Sequence, residues 1–356
     1  MAPDGKSERG GVAIRLSICI ATFNRGRFIG ETLDSILGQL ENGVDLIVVD
    51  GASSDSTAEV MAQYCARHPE IIYHRESINS GVDADYDKAV GYATGEYCWL
   101  MTDDDLLKPG AVRCILAATE GNPELIVVNA EVRSADLSEM MEDRRLNVTS
   151  DVGYTYGRKD EFLRDVGAYL SFIGCVVIKR DVWMSRDRGA YYGSLFIHVG
   201  VIFQKPSIDN VRVISEPLIK IRYGNAMWTA RGFEIWMFKW PQLIWSFPEY
   251  SDDAKRAVCR ENPWRSAKAL FHHRAMGSYS ASEFHKFWPA ADRKLKSPVA
   301  WLISLFPASF ANLVMVLYFS LKAANSGMAL YDLLHSRHAT SASLTLARAF
   351  GVKLFD

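Results

Sequence analysis

Three consecutive aspartates, Asp103-Asp104-Asp105, follow the apolar run CWLM at 98–101. Adjacent carboxylates repel one another, so such a run is tolerated where it is solvated or binds a cation. Oxygen ligands of this kind suit Mg²⁺ or Mn²⁺, and a cation held there would offset the charge of a diphosphate leaving group. An acidic turn before the helix that begins near Pro109 is the alternative, but the position at a strand end favours a metal site at Asp104 and Asp105, with Asp103 beside it.

Polar residues also follow two other apolar runs. Thr22-Phe23-Asn24 comes after LSICIA at 16–21, and Asp50 comes after VDLIVV at 44–49. Asp50 can accept hydrogen bonds from the edge of a nucleobase, and Thr22 and Phe23 can contact base and ribose, with Phe23 stacking. The alternative for Asp50 is a helix N-cap. We therefore expect a nucleotide site formed by Thr22, Phe23, Asn24 and Asp50.

Four further side chains are candidates for the site. Asp83 and Asp85 follow Asn79-Ser80-Gly81, where one of them could reach a diphosphate or could cap the helix. Arg222 could clamp a diphosphate in a bidentate manner, and Trp228 could stack on an acceptor sugar ring. A surface arginine and a packing tryptophan are the competing interpretations.

His198 is the only polar side chain in the apolar stretch LFIHVGVIF at 195–203. An imidazole titrates near neutral pH, so His198 could be the base that deprotonates an acceptor hydroxyl. It could instead bind the metal or the diphosphate. The third possibility is a buried histidine bonded to a carbonyl.

The elements that position these residues alternate between strand and helix patterns. Apolar runs predict strands, and residues with helical spacing predict helices at 27–40, from 53–57 onward, at 83–93 and at 193–204. The predicted strands lie at 16–21, 44–49, 71–74, 98–101, 125–129, 174–179, 211–214 and 217–221. This order predicts right-handed βαβ units, a mostly parallel sheet, and ligands bound beyond the carboxyl ends of its strands. The stretch 131–170 reads as irregular loops.

Length and composition place a large domain beside an appendage. The chain has 356 residues, of which 49% are hydrophobic and 23% charged. Residues 1–14 read as a disordered tail, residues 15–230 as the α/β domain, and residues 231–356 as a mainly helical region. Six cysteines without a CxxC pair indicate thiols in a reducing cytoplasm.

The carboxyl-terminal region combines positive charge with apolar surface. Residues 231–356 hold 16 Lys+Arg against 9 Asp+Glu, whereas residues 1–230 carry a net charge of −9, and six of nine tryptophans lie after 230. Residues 298–321 contain no charged side chain. This combination predicts attachment to an anionic membrane surface rather than nucleic acid, with a peripheral or monotopic enzyme on the cytoplasmic face of the inner membrane. A spanning helix and a soluble helical subdomain are the alternatives.

Four blocks together resemble the nucleotide-binding half of family 2 glycosyltransferases. These are SICIATFNRGRFIGETLDSIL, LIVVDGASSDST, INSGVDADYDKAVGYATGEYCWLM and TDDDLLKPGA, and the last two are similar to the abequosyltransferase-like branch, which builds bacterial O-antigens. The resemblance is close over 15–120 and loose over 121–225. It implies a GT-A fold in which Thr22, Phe23 and Asp50 hold the nucleoside. Asp103 would face the ribose or metal, and Asp104 and Asp105 the metal.

The chain departs from that family pattern at four places. Ala21 stands where proline is common, and the first Asp of the usual DxD would fall at Thr102. The basic residue often found before the third helix is absent. Ile197-His198 replaces the Glu-Asp pair that usually supplies the base.

These observations predict an inverting, metal-dependent glycosyltransferase. It would move a sugar from a nucleotide-diphosphate donor to a saccharide or a polyprenyl-diphosphate-linked saccharide, using Mn²⁺ or Mg²⁺. A nucleotidyltransferase is the second possibility, although ATFNRGRF is a poor version of its glycine-rich basic loop. A degenerate transferase acting as a scaffold is the third.

Overall fold

The computed structural model describes residues 13–225, 231–288, 298–322 and 327–352. The chain forms two compact units, the first comprising residues 1–132 and 142–221 and the second residues 133–141 and 222–356. The predicted boundary at 230/231 therefore falls at 221/222, and the segment 133–141 joins the second unit. Residues 1–12 of the predicted tail, and Trp228, lie outside the described residues.

A ten-stranded sheet forms the centre of the fold. Its strands are β1 (Leu16–Thr22), β2 (Val44–Asp50), β3 (Ile71–Arg75), β4 (Tyr97–Met101), β5 (Leu106–Leu107), β6 (Leu125–Arg133), β7 (Met140–Glu142), β8 (Val152–Tyr154), β9 (Val176–Lys179) and β10 (Val211–Arg222). The accompanying helices are α1 (Ile29–Leu37), α2 (Thr57–Arg67), α3 (Val82–Tyr92), α4 (Ala111–Thr119), α5 (Lys159–Val166), α6 (Arg180–Met184) and α7 (Ile197–Phe203).

The sheet is mixed rather than mostly parallel, which corrects the prediction. Its order is β3-β2-β1-β4-β9-β6-β10-β5, with β7 on β6 and β8 on β10. β1, β2, β3 and β4 run parallel, whereas β9 is antiparallel to both β4 and β6, and β5 is antiparallel to β10. Apolar runs alone do not encode strand direction, so the sequence pattern could not distinguish the two halves.

The parallel half aligns the polar strand ends predicted from the sequence. All seven residues of β1 are buried, as expected for a strand covered by helices on both faces. Thr22 at the end of β1 is in register with Asp50 at the end of β2, and Ile20 is in register with Met101 of β4. The carboxyl ends of β1, β2 and β4 therefore meet at one edge of the sheet.

Two local predictions were wrong in the later part of this unit. The stretch expected to be irregular contains α5, whose Phe162, Leu163 and Val166 are buried. The two strands expected at 211–214 and 217–221 form the single strand β10. Pro217 lies within this strand, and a proline that interrupts the pattern favours two separate strands in a sequence-based interpretation.

The second unit is mainly helical. Its helices are α8 (Gly232–Glu234), which continues as a π-helix over Ile235–Lys239, α9 (Trp240–Trp245), α10 (Asp252–Val258), α11 (Ala267–Met276), α12 (Ala281–Phe287), α13 (Pro298–Leu305), α14 (Ala308–Lys322), α15 (Gly327–Leu334) and α16 (Ser341–Ala349). One aromatic core gathers around Phe233, Trp264 and Tyr279, and a second core joins Met315 and Val316 to α11, α15 and α16. Most of the tryptophans predicted for membrane contact are thus partly or fully used in packing.

Asn312 explains one polar interruption of the uncharged stretch. It is fully buried in α14, where its Nδ2 donates to the carbonyl of Leu333 at 2.7 Å and its Oδ1 accepts from the Ser343 hydroxyl at 2.8 Å. Among the described helices, none is by itself long and apolar enough to cross a membrane. α13 and α14 meet that test only as a pair, bent by 102°.

Candidate active site

The loop after β1 is fastened to the loop after β2. Asn24 has a left-handed backbone with φ of 55°, its N–H donates to the Ser53 hydroxyl at 2.9 Å, and its Oδ1 accepts from the Ser54 N–H at 2.8 Å. The N–H of Arg25 donates to the Thr57 hydroxyl at 2.9 Å. The side-chain oxygen of Asn24 is thus used within the protein. This residue fixes the backbone that carries Arg25.

The guanidinium of Arg25 bridges two carboxylates of the acidic run. Its Nε lies 3.5 Å from Asp103 Oδ1 and its Nη2 3.2 Å from Asp104 Oδ2. The three side chains are only 11%, 14% and 13% exposed, so water screens this contact weakly. Burial raises the pKa of Asp103 and the neighbouring charge of Asp104 adds to the effect, whereas Arg25 acts in the opposite direction. The pair therefore favours a cation between its oxygens.

Asp105 has a different environment from its two neighbours. It is 2% exposed, its Oδ2 accepts from the Thr102 hydroxyl at 2.5 Å, and its carbonyl accepts from the Thr32 hydroxyl at 2.9 Å. The carboxylate of Asp105 thus supports the turn, and its assignment to the metal stays a prediction. The pair that faces a shared cation is Asp103 and Asp104.

Asp50 is completely buried at the end of β2. Its Oδ1 accepts from the Ser53 N–H and its Oδ2 from the Tyr73 hydroxyl, both at 2.8 Å, and Arg75 Nε lies 3.8 Å from Oδ2. Burial and the hydrogen bond to Asp50 raise the pKa of Tyr73, which keeps that hydroxyl a donor. Each carboxylate oxygen has a second lone pair, so a contact of Asp50 with a nucleobase stays a prediction.

Asp85 lies next to this strand end. A Cβ placed on Gly51 would come within 2.5 Å of Asp85 Oδ2, so the glycine leaves the space that the carboxylate fills. Asp85 Oδ1 accepts from the Ser80 hydroxyl at 2.7 Å, and Lys88 Nζ lies 3.8 Å away. Burial raises the pKa of Asp85, whereas the bond from Ser80 lowers it. Of the two aspartates expected at the start of α3, Asp85 is the one beside the Asp50 loop.

Asp83 holds a different segment. Its Oδ2 accepts from the Leu195 N–H at 2.9 Å and its Oδ1 from the Ile197 N–H at 3.0 Å. Leu195 has a left-handed backbone with φ of 73°, so the carboxylate stabilises a strained turn directly before α7. The prediction that Asp83 binds the donor is therefore corrected: it is 4% exposed, and both oxygens bind the backbone.

His198 is buried in the core and is 1% exposed. Its Nε2 lies 2.7 Å from the carbonyl of Leu170 and donates to it, and burial lowers the pKa of His198 to about 4. A general base must reach the proton that it removes, and no substrate hydroxyl reaches an imidazole enclosed in this way. The structure contradicts His198 as the base or a metal ligand and supports the third interpretation, a histidine bonded to a carbonyl.

The remaining predicted residues are Thr22, Phe23, Arg222 and Trp228. Thr22 is 2% exposed, and Phe23 is half-buried at the same strand end. Arg222 is 7% exposed and donates through Nη1 to the carbonyl of Ala135 at 2.8 Å, within the second unit. One N–H of the guanidinium is thus bonded to the backbone, and the role of Arg222 as a clamp for a diphosphate stays a prediction. Acceptor stacking by Trp228 falls on residues that the structure does not describe.

Metal binding was tested on the donor set itself. In the described parts of the chain, no group of three or more His, Cys, Asp and Glu side chains converges as a metal site. Two carboxylates, Asp103 and Asp104, nevertheless point at one cation, the guanidinium of Arg25. Two hard oxygen donors suit Mg²⁺ or Mn²⁺, which takes its other ligands from water and phosphate. The residues fit a divalent cation as a two-carboxylate site.

Arg25 is a candidate site residue that the sequence interpretation missed. The basic residue that the family pattern places before α3 is absent, and no replacement for it was predicted. The available signal was a cation three residues beyond Thr22, in the loop after β1, at the same sheet edge as the acidic run. Charge balance at one edge of a parallel sheet would have identified it.

Comparison with known proteins agrees with this geometry. Residues 17–182 match the family model described as glycosyl transferase family 2. The abequosyltransferase RfbV of Salmonella typhimurium is 26% identical over 290 residues, covering 75% of this chain and 85% of that protein. The putative glycosyltransferase EpsH of Bacillus subtilis is 23% identical over 142 residues, which cover 40% of this chain and 39% of that protein.

Solved structures extend the likeness to the fold. TarS 1–349 of S. aureus, in complex with UDP-GlcNAc, has a TM-score of 0.51 at 13% identity and covers 96% of this chain and 93% of its own. The mannosyltransferase PcManGT of Pyrobaculum calidifontis, in complex with GDP-Man and Mn²⁺, has a TM-score of 0.50 at 17% identity, covering 82% and 86%. The chain therefore has a GT-A-like mixed α/β fold, and its residues 17–182 match the family 2 glycosyltransferase model.

Proposed function

We propose that the protein transfers a sugar, with inversion, from a nucleotide-diphosphate donor to a saccharide or a polyprenyl-diphosphate-linked saccharide. The reaction belongs to the synthesis of bacterial surface polysaccharide of the O-antigen type, on the cytoplasmic face of the membrane. The observation that carries the proposal is the pair Asp103 and Asp104, which share one cation beside the buried Asp50 loop.

The comparisons support the donor class. The two structures of similar fold were solved in complex with UDP-GlcNAc and with GDP-Man, both nucleotide diphosphates that carry a sugar. The relative that aligns over most of its length is an abequosyltransferase. Together these favour a nucleotide sugar as donor and a surface polysaccharide as product, with the choice of sugar left to experiment.

Each part of the site has a proposed role in binding and transfer. Asp50 and Phe23, at the ends of β2 and β1, bind the nucleoside. Asp103 and Asp104 would hold Mn²⁺ or Mg²⁺, and a cation bound there would supply positive charge against the departing diphosphate. Arg25 then turns from the carboxylates to the phosphates, where a guanidinium provides a bidentate contact.

The experiment is a thermal-shift screen of nucleotide sugars with and without Mn²⁺, followed by measurement of sugar transfer or donor hydrolysis. A ligand that binds only the folded protein must raise its unfolding temperature. We expect one donor to stabilise the protein when Mn²⁺ is present and not when EDTA replaces it. Asp104→Asn should abolish that response and reduce turnover by about 10²-fold or more.

Asp143→Asn provides a matched control, since it removes one carboxylate that is 81% exposed. It should leave both the donor response and turnover unchanged. Wild-type turnover in EDTA would contradict metal dependence. A shift produced by nucleotide diphosphates without any sugar transfer or hydrolysis would favour a scaffold that retains the donor site.

A further inference from the structure

α13 and α14 expose a continuous apolar surface. Four residues of α14 recur at intervals of four, three and four positions, which places them on one side of the helix. Together with the exposed side chains of α13, they form the surface defined here as the apolar face: Val299, Trp301, Leu302, Leu305, Phe310, Val314, Leu317 and Leu321. Their exposed fractions range from 38% to 65%.

The opposite side of α14 is already packed. Ala311, Met315 and Val316 lie in the helical core of the second unit, and Asn312 is bonded there to Leu333 and Ser343. A helix on the surface of a water-soluble protein normally exposes a polar face when its apolar face is buried. α14 instead carries apolar residues on both sides, so its exposed side is not explained by folding.

Positive charge adjoins this face, and neither of its two helices carries an acidic side chain. Lys268 Nζ donates to the Tyr318 hydroxyl at 2.8 Å and lies over its ring, as does Lys322 at 5.3 Å from the centroid. The hydrogen bond from Lys268, with Lys322, lowers the pKa of Tyr318. The sequence of α13 and α14 contains no Asp or Glu, and Arg293, Lys294 and Lys296 precede it.

A second cationic group lies at the break between the two helices. Arg274 Nε donates to the carbonyl of Phe306 at 2.6 Å, directly between α13 and α14. Arg337 lies close enough to Arg274 to lower the pKa of Arg274, after the larger effect of burial. Glu283 acts on Arg274 in the opposite direction, so the positive charge at this break is partly offset within the protein.

We propose that the apolar face is a membrane-docking surface that lies in the interface of an anionic phospholipid bilayer. The apolar side chains enter the acyl boundary, and Lys268 and Lys322 bind phosphate groups of the lipids. Trp301 suits this depth, because its indole combines an apolar ring with one N–H donor. The proposal stands on these contacts and exposures alone and is independent of the proposed sugar transfer.

The test is co-sedimentation of the full chain with vesicles of phosphatidylcholine alone or mixed with phosphatidylglycerol. We expect binding to the mixed vesicles that weakens as salt rises. Leu302→Ser/Leu321→Ser removes two side chains that are 59% and 65% exposed, so folding should survive. Its partitioning should fall by about a hundredfold.

A second pair of variants distinguishes the contribution of positive charge to vesicle binding from that of the apolar face. Lys268→Gln/Lys322→Gln should weaken binding to the mixed vesicles by about thirtyfold and leave residual binding to phosphatidylcholine unchanged. Ile78→Ser/Tyr156→Ser is the matched control: both residues are exposed, at 73% and 49%, in the first unit. This control should bind as the wild type does.

Three outcomes would overturn the proposal. One is wild-type binding by the Leu302→Ser/Leu321→Ser variant. Another is a stable dimer in light scattering that this variant converts to a monomer while vesicles are ignored, because a second copy would then cover the face. The last is protein that neither high salt nor carbonate extracts from vesicles, which indicates a span rather than an interfacial surface.

Discussion

The buried imidazole of His198 makes a quantitative prediction about acid stability. Its pKa falls from 6.5 to about 4 in the folded protein, because burial disfavours the charged ring. The folded state therefore binds fewer protons at this site than the unfolded chain. The stabilisation is complete above pH 6.5 and is lost as the pH falls towards 4. Between pH 7 and pH 5 the loss amounts to about 2 kcal/mol.

The assay compares wild type with His198→Asn, a polar variant whose side chain cannot take up a proton. Urea unfolding at pH 7 and at pH 5 gives the free energy lost on acidification for each protein. Wild type should lose about 2 kcal/mol more than the variant. His272 and His273, whose pKa values burial also lowers, act in both proteins and cancel in the difference.

Hydrogen exchange tests whether the stability lost on acidification belongs to the first unit. Amides of α7 should exchange faster at the lower pH in wild type, after correction for intrinsic rates, and less so in His198→Asn. Sugar transfer at pH 7 should change by less than about tenfold, whereas loss of a general base costs about 10²–10⁴-fold. Equal acid sensitivity of the two proteins, or a loss of transfer in the larger range with stability preserved, would refute the structural role of His198.

Two further substitutions test the candidate site. Arg25→Gln removes the cation shared by the two carboxylates. In calorimetry, Mn²⁺ should therefore bind the nucleotide-free variant about tenfold more tightly than wild type, a gain of about 1.4 kcal/mol in binding free energy. Equal or weaker binding would show that Arg25 and the metal do not compete. Gly51→Ala brings a Cβ within 2.5 Å of Asp85 and should lower the free energy of unfolding by about 1–3 kcal/mol and weaken donor binding. Gly91→Ala, which meets nothing within 4 Å in α3, should instead stabilise the protein slightly in the same unfolding measurement, and similar losses for both variants would contradict the steric argument.

The parallel half of the fold was predictable because β1 and β4 are buried along their whole length and β2 over its last five residues. Each of the strands β1 to β4 contains an apolar run and ends within a residue or so of the predicted position. Strand direction was not predictable, since β9 and β6 are equally apolar whichever way they run. The pairing of β4 with β9 is decided by long-range connections, which a local pattern does not contain.

The candidate site was predictable in its location and less so in its assignments. Residues at strand ends were brought together as expected, but the sequence could not tell which carboxylates serve the backbone. Asp83 and Asp105 are used in turns, and Arg222 binds a carbonyl within the second unit. Each of these roles depends on a partner distant in sequence. A polar residue in an apolar stretch, such as His198, has the same ambiguity.

Three basic side chains at the edge of the sheet, Arg25, Arg75 and Lys88, differ in how their carboxylate partners are held. Arg75 lies beside Asp50, whose carboxylate is completely buried and bonded to the chain on both oxygens. Lys88 is shared between Glu76 at 2.6 Å and Asp85 at 3.8 Å.

Arg25 differs from both, because its guanidinium spans two adjacent carboxylates at 3.2 and 3.5 Å, which is longer than an optimal charge-assisted hydrogen bond. A pair of carboxylates held by one loosely fitting monovalent cation gains from replacing it with a divalent one, whereas the buried carboxylate of Asp50 does not. Under the proposed function, the same replacement would free the guanidinium to bind the diphosphate of the donor. Metal binding and neutralisation of the phosphates would then depend on one displacement, and Arg25→Gln separates the two effects.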